Sequence, residues 1–458
     1  MRAWALLLAA AALAPPLAAG EDSPSHPSKA RGEPAPGRPL YGADRTQSPI
    51  PADVAERLRR VAAASSGRLP VFAKVGDSVS YGGLRGPFLG CFDPASGARV
   101  NVGGRAELAR AIDFYLSVPA GSVSSFARDS LAVEVGRNAA WAAGGSPSPV
   151  EREVEATRPA AAVVMFGSND VQCYGCGLPD WEMASIYFGN MRRIADLLLA
   201  KGVVPILSSA PPRTDDPANL RRTPIFANAV RALAQGRLLP FLDYEREMER
   251  LPALGLGPDG IHPSFCPSGV GSACRLDEGT CGGRRFLEYG YNVRNLVTLE
   301  ALSRLKAVLS GERELDPDPP RLSGQGTWAA PFAIPSLPFT DLRDPRREGV
   351  SSAKAYGCRG APKAPGPEVV YRLALSRPTA LRIAVLDGTS RMDGPAHLAV
   401  YLLGSASPRA CQKAGERSVA ATLPAGTYHL AVDSLSPAGG GEYALVVLEC
   451  AAGDRSCR

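Results

Sequence analysis

Between residues 67 and 312, short apolar runs alternate with longer stretches of helical spacing. "PVFAKV" (Pro70–Val75), "AAVVMF" (Ala161–Phe166), "VVPILS" (Val203–Ser208) and "LPFLDY" (Leu239–Tyr244) are rich in Val, Ile, Leu and Phe and suit strands buried on both faces. Between the second and third runs, "MASIYFGNMRRIADLLLAKG" spaces Ile186, Met191, Ile194, Leu197 and Leu198 at helical intervals and closes on Gly202, a C-terminal stop. "PANLRRTPIFANAVRALAQG" and "RRFLEYGYNVRNLVTLEALSRL" add two more helical patterns, and "GRAELARAIDFYLSVP" a fourth inside the long segment from Leu84 to Gly145. Strand, helix, strand, helix in this order predicts a parallel sheet with helices on both faces.

Past residue 336 the rhythm changes to period two. "VVYRLAL", "LRIAVLD", "HLAVYLL", "TYHLAVDS" and "YALVVLEC" are separated by Gly, Pro and Ser turns, which predicts an antiparallel all-β sandwich over 337–458. Two stretches fit neither rhythm. Residues 21–66 are rich in Pro, Ser, Gly and charge and read as a disordered tether; 313–336, with clustered prolines and glycines, reads as an interdomain linker.

The first twenty residues join Arg2 to an apolar run and end in small residues, the pattern of a signal peptide, so export to the cell envelope or the medium is expected. Ten cysteines in an exported chain read first as disulfides. Six (Cys91, Cys173, Cys176, Cys266, Cys274, Cys281) precede residue 320 and four (Cys358, Cys411, Cys450, Cys457) follow it, so each half can pair internally. Zinc is the competing reading, but a two-pair site needs a second close pair beside Cys173 and Cys176, whereas Cys274 and Cys281 are seven apart. The net charge of +6 comes without a basic block, which argues against nucleic acid as a partner.

The residues that follow the predicted strands carry the chemistry, because ligands of an open parallel sheet sit beyond its carboxyl ends. Gly76, Asp77 and Ser78 follow the first strand; Gly167, Ser168, Asn169 and Asp170 follow "VVMF"; "GPDGIHPS" brings Asp259 and His262 after the last strand. These are the parts of a serine hydrolase: Ser78 supplies the hydroxyl, His262 takes its proton and Asp259 orients the imidazole. Asn169 and the Ser78 backbone N–H are candidate oxyanion donors. Of the four histidines (His26, His262, His397, His429), only His262 lies between residues 67 and 312, so a histidine base there must be His262. Asp77 reads as a scaffold residue tying the loops together, since Asp259 is better placed to orient the base.

"GDSVSYGG", "FGSND" and "DGIHPS", with "VVPILSSAPPR" between, resemble the GDSL-type, or SGNH, hydrolases over most of residues 67–312. The resemblance implies a flavodoxin-like α/β/α sandwich of five parallel strands and esterase or lipase chemistry without metal or cofactor. It implies Ser78 as nucleophile, Asn169 as oxyanion donor, and Asp259 with His262 completing the triad; Ser80 stands where the family often has Thr. The family also places an oxyanion-facing glycine after its second strand. Here the segment is "VEVGRNAAWAAGG", in which several residues could fill that role: Gly136 and Gly144 are available, Ala139 to Ala143 occupy the expected region and an alanine still offers its N–H, and Gly136 is the nominal assignment.

"GPEVVYRLALS", "AHLAVYLLG", "LPAGTYHLAVDS" and "GEYALVVLEC" look like the pre-peptidase C-terminal (PPC-like) β-sandwich. The acidic pair that family often carries is replaced by Pro395, Ala396 and His397, so no metal is implied. Together these readings predict an exported, monomeric serine esterase acting on acylated polysaccharide. The alternatives are a lipase or phospholipase-type acyl hydrolase, or an inactive surface carbohydrate-binding protein; contact with polysaccharide or the cell surface would fall to the C-terminal domain.

Overall fold

The apolar runs form a four-stranded parallel sheet in the computed structural model, which describes residues 37–172, 175–312 and 316–450. The signal-peptide reading falls on residues outside these. The strands β1 (Arg68–Gly76), β2 (Pro159–Met165), β3 (Val204–Ser208) and β4 (Phe241–Leu242) lie side by side in that order. Every pair is parallel. Beyond β1, Val133 adds one parallel bridge to Gly76, through the Gly76 N–H to Ala132 O at 3.0 Å and the Glu134 N–H to Gly76 O at 3.3 Å. The five strands implied by the resemblance are therefore four strands and a bridge. Residues 117–138, "SVPAGSVSSFARDSLAVEVGRN", contain no apolar run that could bury a full strand.

Helices cover both faces. α1 (Ala52–Ala63), α2 (Ala106–Leu116) and α8 (Gly290–Leu309) pack together on one side. On the other, α3 (Ala139–Ala142), α4 (Pro149–Thr157) and α6 (Pro217–Arg237) gather around α5 (Asp180–Ala200), while the short α7 (Tyr244–Glu249) follows β4.

The expected tether differs from the structure in its second half. Val54, Ala55, Leu58 and Val61 of α1 are buried, as are Tyr41 and Ile50 before it. Averaged over 21–66, Pro, Ser and charge hide an amphipathic helix whose apolar positions recur at helical spacing. The expected linker also departs from prediction: Pro39 and Arg321 form an antiparallel bridge, Leu322 is buried, and Phe332–Ile334 is a strand.

The C-terminal part is a two-sheet sandwich. One sheet runs β13 (Ser418–Leu423), β10 (Thr379–Leu386), β15 (Tyr443–Glu449), β8 (Phe339–Arg343); the other runs β12 (Cys411–Glu416), β11 (Leu398–Leu403), β14 (Gly426–Ser434), β9 (Glu368–Leu375), β7 (Phe332–Ile334). A two-stranded hairpin, β5 (Thr280–Cys281) with β6 (Arg284–Arg285), and the short α9 (Pro345–Glu348) complete the order. Pairing within the sandwich is antiparallel except for β7, which joins β9 in parallel.

Leu381, Ile383 and Val385 of β10 and Tyr443, Leu445 and Val447 of β15 face the sandwich core. Their alternates Ala384, Leu386, Ala444 and Val446 belong to the core of the parallel-sheet domain. The first sheet of the sandwich is thus buried on both faces, against the second sheet and against α5 and α6. From Gly37 onward the chain forms one compact unit. α6 lies between two sheets, which explains why "TPIFANAVRALAQ" is apolar nearly all round.

At Gly236 of α6 the approach is close: a Cβ there would lie 2.3 Å from Leu342 Cδ2 and 2.5 Å from its Cβ. Gly236→Val is expected to lower unfolding stability by roughly 1–3 kcal/mol, because the overpacking outweighs a gain in helix propensity below ~1 kcal/mol. Urea melts of the full chain check this; unchanged or increased stability would contradict the docking.

Candidate active site

The carboxyl edge of the parallel sheet gathers four loops. β1 ends at Gly76, where a Cβ would meet Ser80 Oγ at 2.3 Å and Met165 O at 2.6 Å, so only glycine lets the strand turn this tightly beside β2. Asp77 then caps a single 3₁₀ turn, Ser78–Ser80, by accepting the Val79 N–H at 3.0 Å. That turn presents Ser78 at the edge of the sheet.

The Ser78 hydroxyl lies 2.9 Å from His262 Nε2, and His262 Nδ1 lies 2.6 Å from Asp259 Oδ2. The other Asp259 oxygen accepts the N–H groups of Ile261 at 3.1 Å and His262 at 3.0 Å, and Gly257 N–H closes the loop on His262 O at 2.8 Å. Burial acts to raise the Asp259 pKa, but the bonds from the imidazole and the two amides outweigh it and hold the carboxyl below its usual range. Asp259 is therefore ionised at neutral pH, which fixes Nδ1 as the protonated nitrogen and leaves Nε2 as the acceptor facing the hydroxyl. The site is open: the side chains of His262 and Asp259 are 41% and 47% exposed.

Asn169 sits in the turn after β2, beyond Gly167, whose φ of 135° suits glycine and whose Cβ would meet Ala210 Cβ at 2.7 Å. Its Nδ2 donates to Arg137 O at 2.9 Å and approaches Asp77 Oδ2 at 3.4 Å. The second contact is long and weak, so the hydrogen aimed at it is the one an incoming oxyanion could take over. Gly136, exposed and with φ of 79°, joins the site through its neighbour Arg137, whose carbonyl Asn169 holds.

Sequence reasoning missed the buried polar network beneath these loops. Arg213, fully buried, donates to Ser168 O and pairs with Asp215, and the adjacent Thr214 N–H donates to Gly260 O at 2.8 Å. One arginine loop thereby joins the Asn169 turn to the loop of Asp259 and His262. Asp170 accepts the Ala139 N–H at 3.0 Å, tying the Asn169 turn to the segment after Arg137. An arginine among prolines in "SAPPRTDD" gives no sign of burial; only the fold supplies it.

Disulfides brace the same edge. Cys91–Cys274 joins the Leu84–Gly145 segment to the region after His262, and Cys266–Cys281 closes the loop that follows His262 directly. Cys358–Cys411 lies within the sandwich, and Cys176 and Cys450 are also disulfide-bonded. These cysteines hold no free thiolate for zinc, and the described bridges stay within each half as expected; Cys173 and Cys457 lie outside the described residues.

Residues 75–264 match the model of the GDSL-like lipase/acylhydrolase family. The family comparison supports an ester hydrolase. Among solved structures, a GDSL-like lipase from Bacteroides thetaiotaomicron is 16% identical, with 48% of this chain and 92% of that one covered at a TM-score of 0.28. A catalytic mutant of an acetylxylan esterase from Geobacillus stearothermophilus is 16% identical, with 53% and 94% covered at 0.32. The pre-peptidase C-terminal domain of a collagenase from Bacillus anthracis is 18% identical, with 25% and 91% covered at 0.17. No curated protein matches the chain. Among the described residues no helix is long and apolar enough to cross a membrane.

Burial pushes Asp170 up to about 7 against the Ala139 amide, with the nearby Asp77 carboxylate adding to the rise; burial likewise pushes Asp77 up to about 6. A carboxyl raised on folding binds its proton more tightly in the native state. Its contribution to stability is complete below the ordinary value of 3.8 and is lost as pH rises through about 7. Asp170→Asn keeps the acceptor for Ala139 and removes the titration. The variant should gain stability relative to the parent as pH rises across that window, read from urea melts at a series of pH values; a constant difference would show that Asp170 does not titrate there.

Proposed function

We propose that this protein is an exported serine esterase in which Ser78 is the nucleophile, His262 the general base and Asp259 the residue that orients it. The observation that carries this is the unbroken chain of hydrogen bonds from Ser78 Oγ through the imidazole to Asp259. Ser78 Oγ attacks the ester carbonyl as His262 Nε2 takes its proton. Asn169 Nδ2 and the Ser78 N–H stabilise the negative oxygen of the tetrahedral intermediate, with Gly136 as the candidate third donor. Collapse expels the alcohol, which takes the proton from His262 and leaves an acyl-Ser78 ester. Water, deprotonated by His262, then attacks that ester and releases the acid.

An acylated polysaccharide is the substrate class this reading favours. The exposed histidine and aspartate lie at an open edge, which gives an ester carried on a bulky polymer access to Ser78. The Leu84–Gly145 segment, held by Cys91–Cys274, brings loop residues to this edge and would set the acyl pocket. The signal-peptide pattern of the first twenty residues and the disulfides support the export in this reading.

Ser78→Ala should lower kcat on a short-chain chromogenic ester by roughly 10⁴-fold or more. Asn169→Ala should lower it roughly 10²- to 10³-fold with little change in KM. Labelling of Ser78 by a fluorophosphonate checks the same assignment independently of substrate. A folded wild-type chain that neither labels nor turns over ester would favour the surface carbohydrate-binding alternative.

A further inference from the structure

Gly177 and the first turns of α5 are gripped by the C-terminal sandwich. Val171 O, two residues past Asn169, accepts Arg222 Nη1 at 2.9 Å, and Arg222 Nε donates to Asp180 Oδ1 at 2.8 Å. Asp180 opens α5, and its other oxygen lies 3.7 Å from Arg382 of β10. Two residues on, Glu182 is 1% exposed, and its carboxylate receives the Arg391 N–H and lies 3.6 Å from the Arg391 guanidinium. Arg391 Nη2 also donates to Gly177 O at 2.6 Å. The loop that carries Arg391 is itself pinned to α5: Gly388 N–H donates to Ser185 Oγ at 3.1 Å, and a Cβ on Gly189 would meet Gly388 O at 2.7 Å.

We propose that Arg391 of the sandwich is a positioning residue for the Asn169 turn, so that the C-terminal domain completes the oxyanion site of the hydrolase domain from outside it. Glu182 is a buried carboxylate in the first turn of a helix, and Arg391 supplies its cation from the sandwich. Without that cation an ionised Glu182 is expensive to keep buried, and the start of α5 shifts toward solvent. Asp180 moves with it, and Arg222 transmits the shift to Val171 and so to Asn169. The Arg391 side chain is 57% exposed, so its removal creates no cavity, and the unpaired Glu182 carboxylate is relieved by the local shift of α5 rather than by global unfolding. A small misplacement of an oxyanion donor, by contrast, acts directly on the rate.

The kinetic arm of the test rests on the esterase reading; the exchange arm does not. In the full-length chain, Arg391→Ala should speed amide hydrogen exchange at residues 168–172 on the order of tenfold and lower kcat on the order of tenfold with KM unchanged. Its melting temperature should stay close to that of the parent. Arg391→Lys should recover part of both effects, and Glu182→Gln added to Arg391→Ala, which removes the unpaired charge, should reverse most of both. Unchanged exchange at 168–172 in Arg391→Ala overturns the proposal, as does a fall in melting temperature with kcat intact. If the parent chain itself shows no turnover or fluorophosphonate labelling, the esterase reading fails, and exchange alone still decides the positioning role.

Discussion

The site depends on one buried carboxylate. Asp77 holds the 3₁₀ turn of Ser78 with one oxygen and faces the amide of Asn169 with the other. The loops after β1 and β2 therefore approach each other across a single side chain, bound firmly to Val79 and only weakly to the Asn169 amide, whose firm bond is to Arg137 O. Burying that carboxyl raises its pKa, yet Arg294, fully buried in α8, and His262 both act to lower it. A desolvated acid beside the Arg294 guanidinium, with the Val79 amide donating to it, is costly to move, and this stiffens the turn that presents Ser78.

Much of this was readable in the sequence, for reasons that differ by element. β1, β2 and β3 are buried on both faces and so write continuous apolar runs. β4 keeps only Phe241 and Leu242, and the bridge at Val133 is a single residue, too short for any periodicity to register. The gathering of Ser78, Asn169, Asp259 and His262 at one edge was legible because strand ends mark the sheet edge and small polar motifs follow them. Arg213, Asp170 and Arg294 were not, since what sets them apart is burial, which only the assembled fold confers. α1 was hidden for the opposite reason: its Val54, Leu58 and Val61 do recur at helical spacing, but proline and serine dominate the stretch around them.

The sandwich shows how period-two reading can mislead. Alternation holds only in the second half of β9, where Arg372 and Ala374 are exposed and Leu373 between them is buried. "LRIAVL" and "YALVVL" have no polar alternates at their centres, and both strands are covered twice, by the second sheet and by α5 and α6. A run apolar on both parities in a sandwich strand is a mark of a further layer. Here that layer is the hydrolase domain, and the two domains share a core reinforced by Arg237 gripping Glu442 at 2.6 and 2.9 Å.

Such docking changes what the C-terminal domain can do. A module on a flexible linker explores many orientations and raises the local concentration of a polymer without directing it. A module fixed by a shared core presents its surface at one angle to the catalytic edge. In a βαβ unit the helix after a strand begins at the carboxyl edge of the sheet, so the first turn of α5 lies on the side where Ser78 and Asn169 stand. The loop carrying Gly388 and Arg391 meets that turn, and the end of β10 therefore points toward the same edge. A polymer bound along that end of the sandwich would approach the serine from one direction, and the geometry of docking would then select which of its esters reach the site.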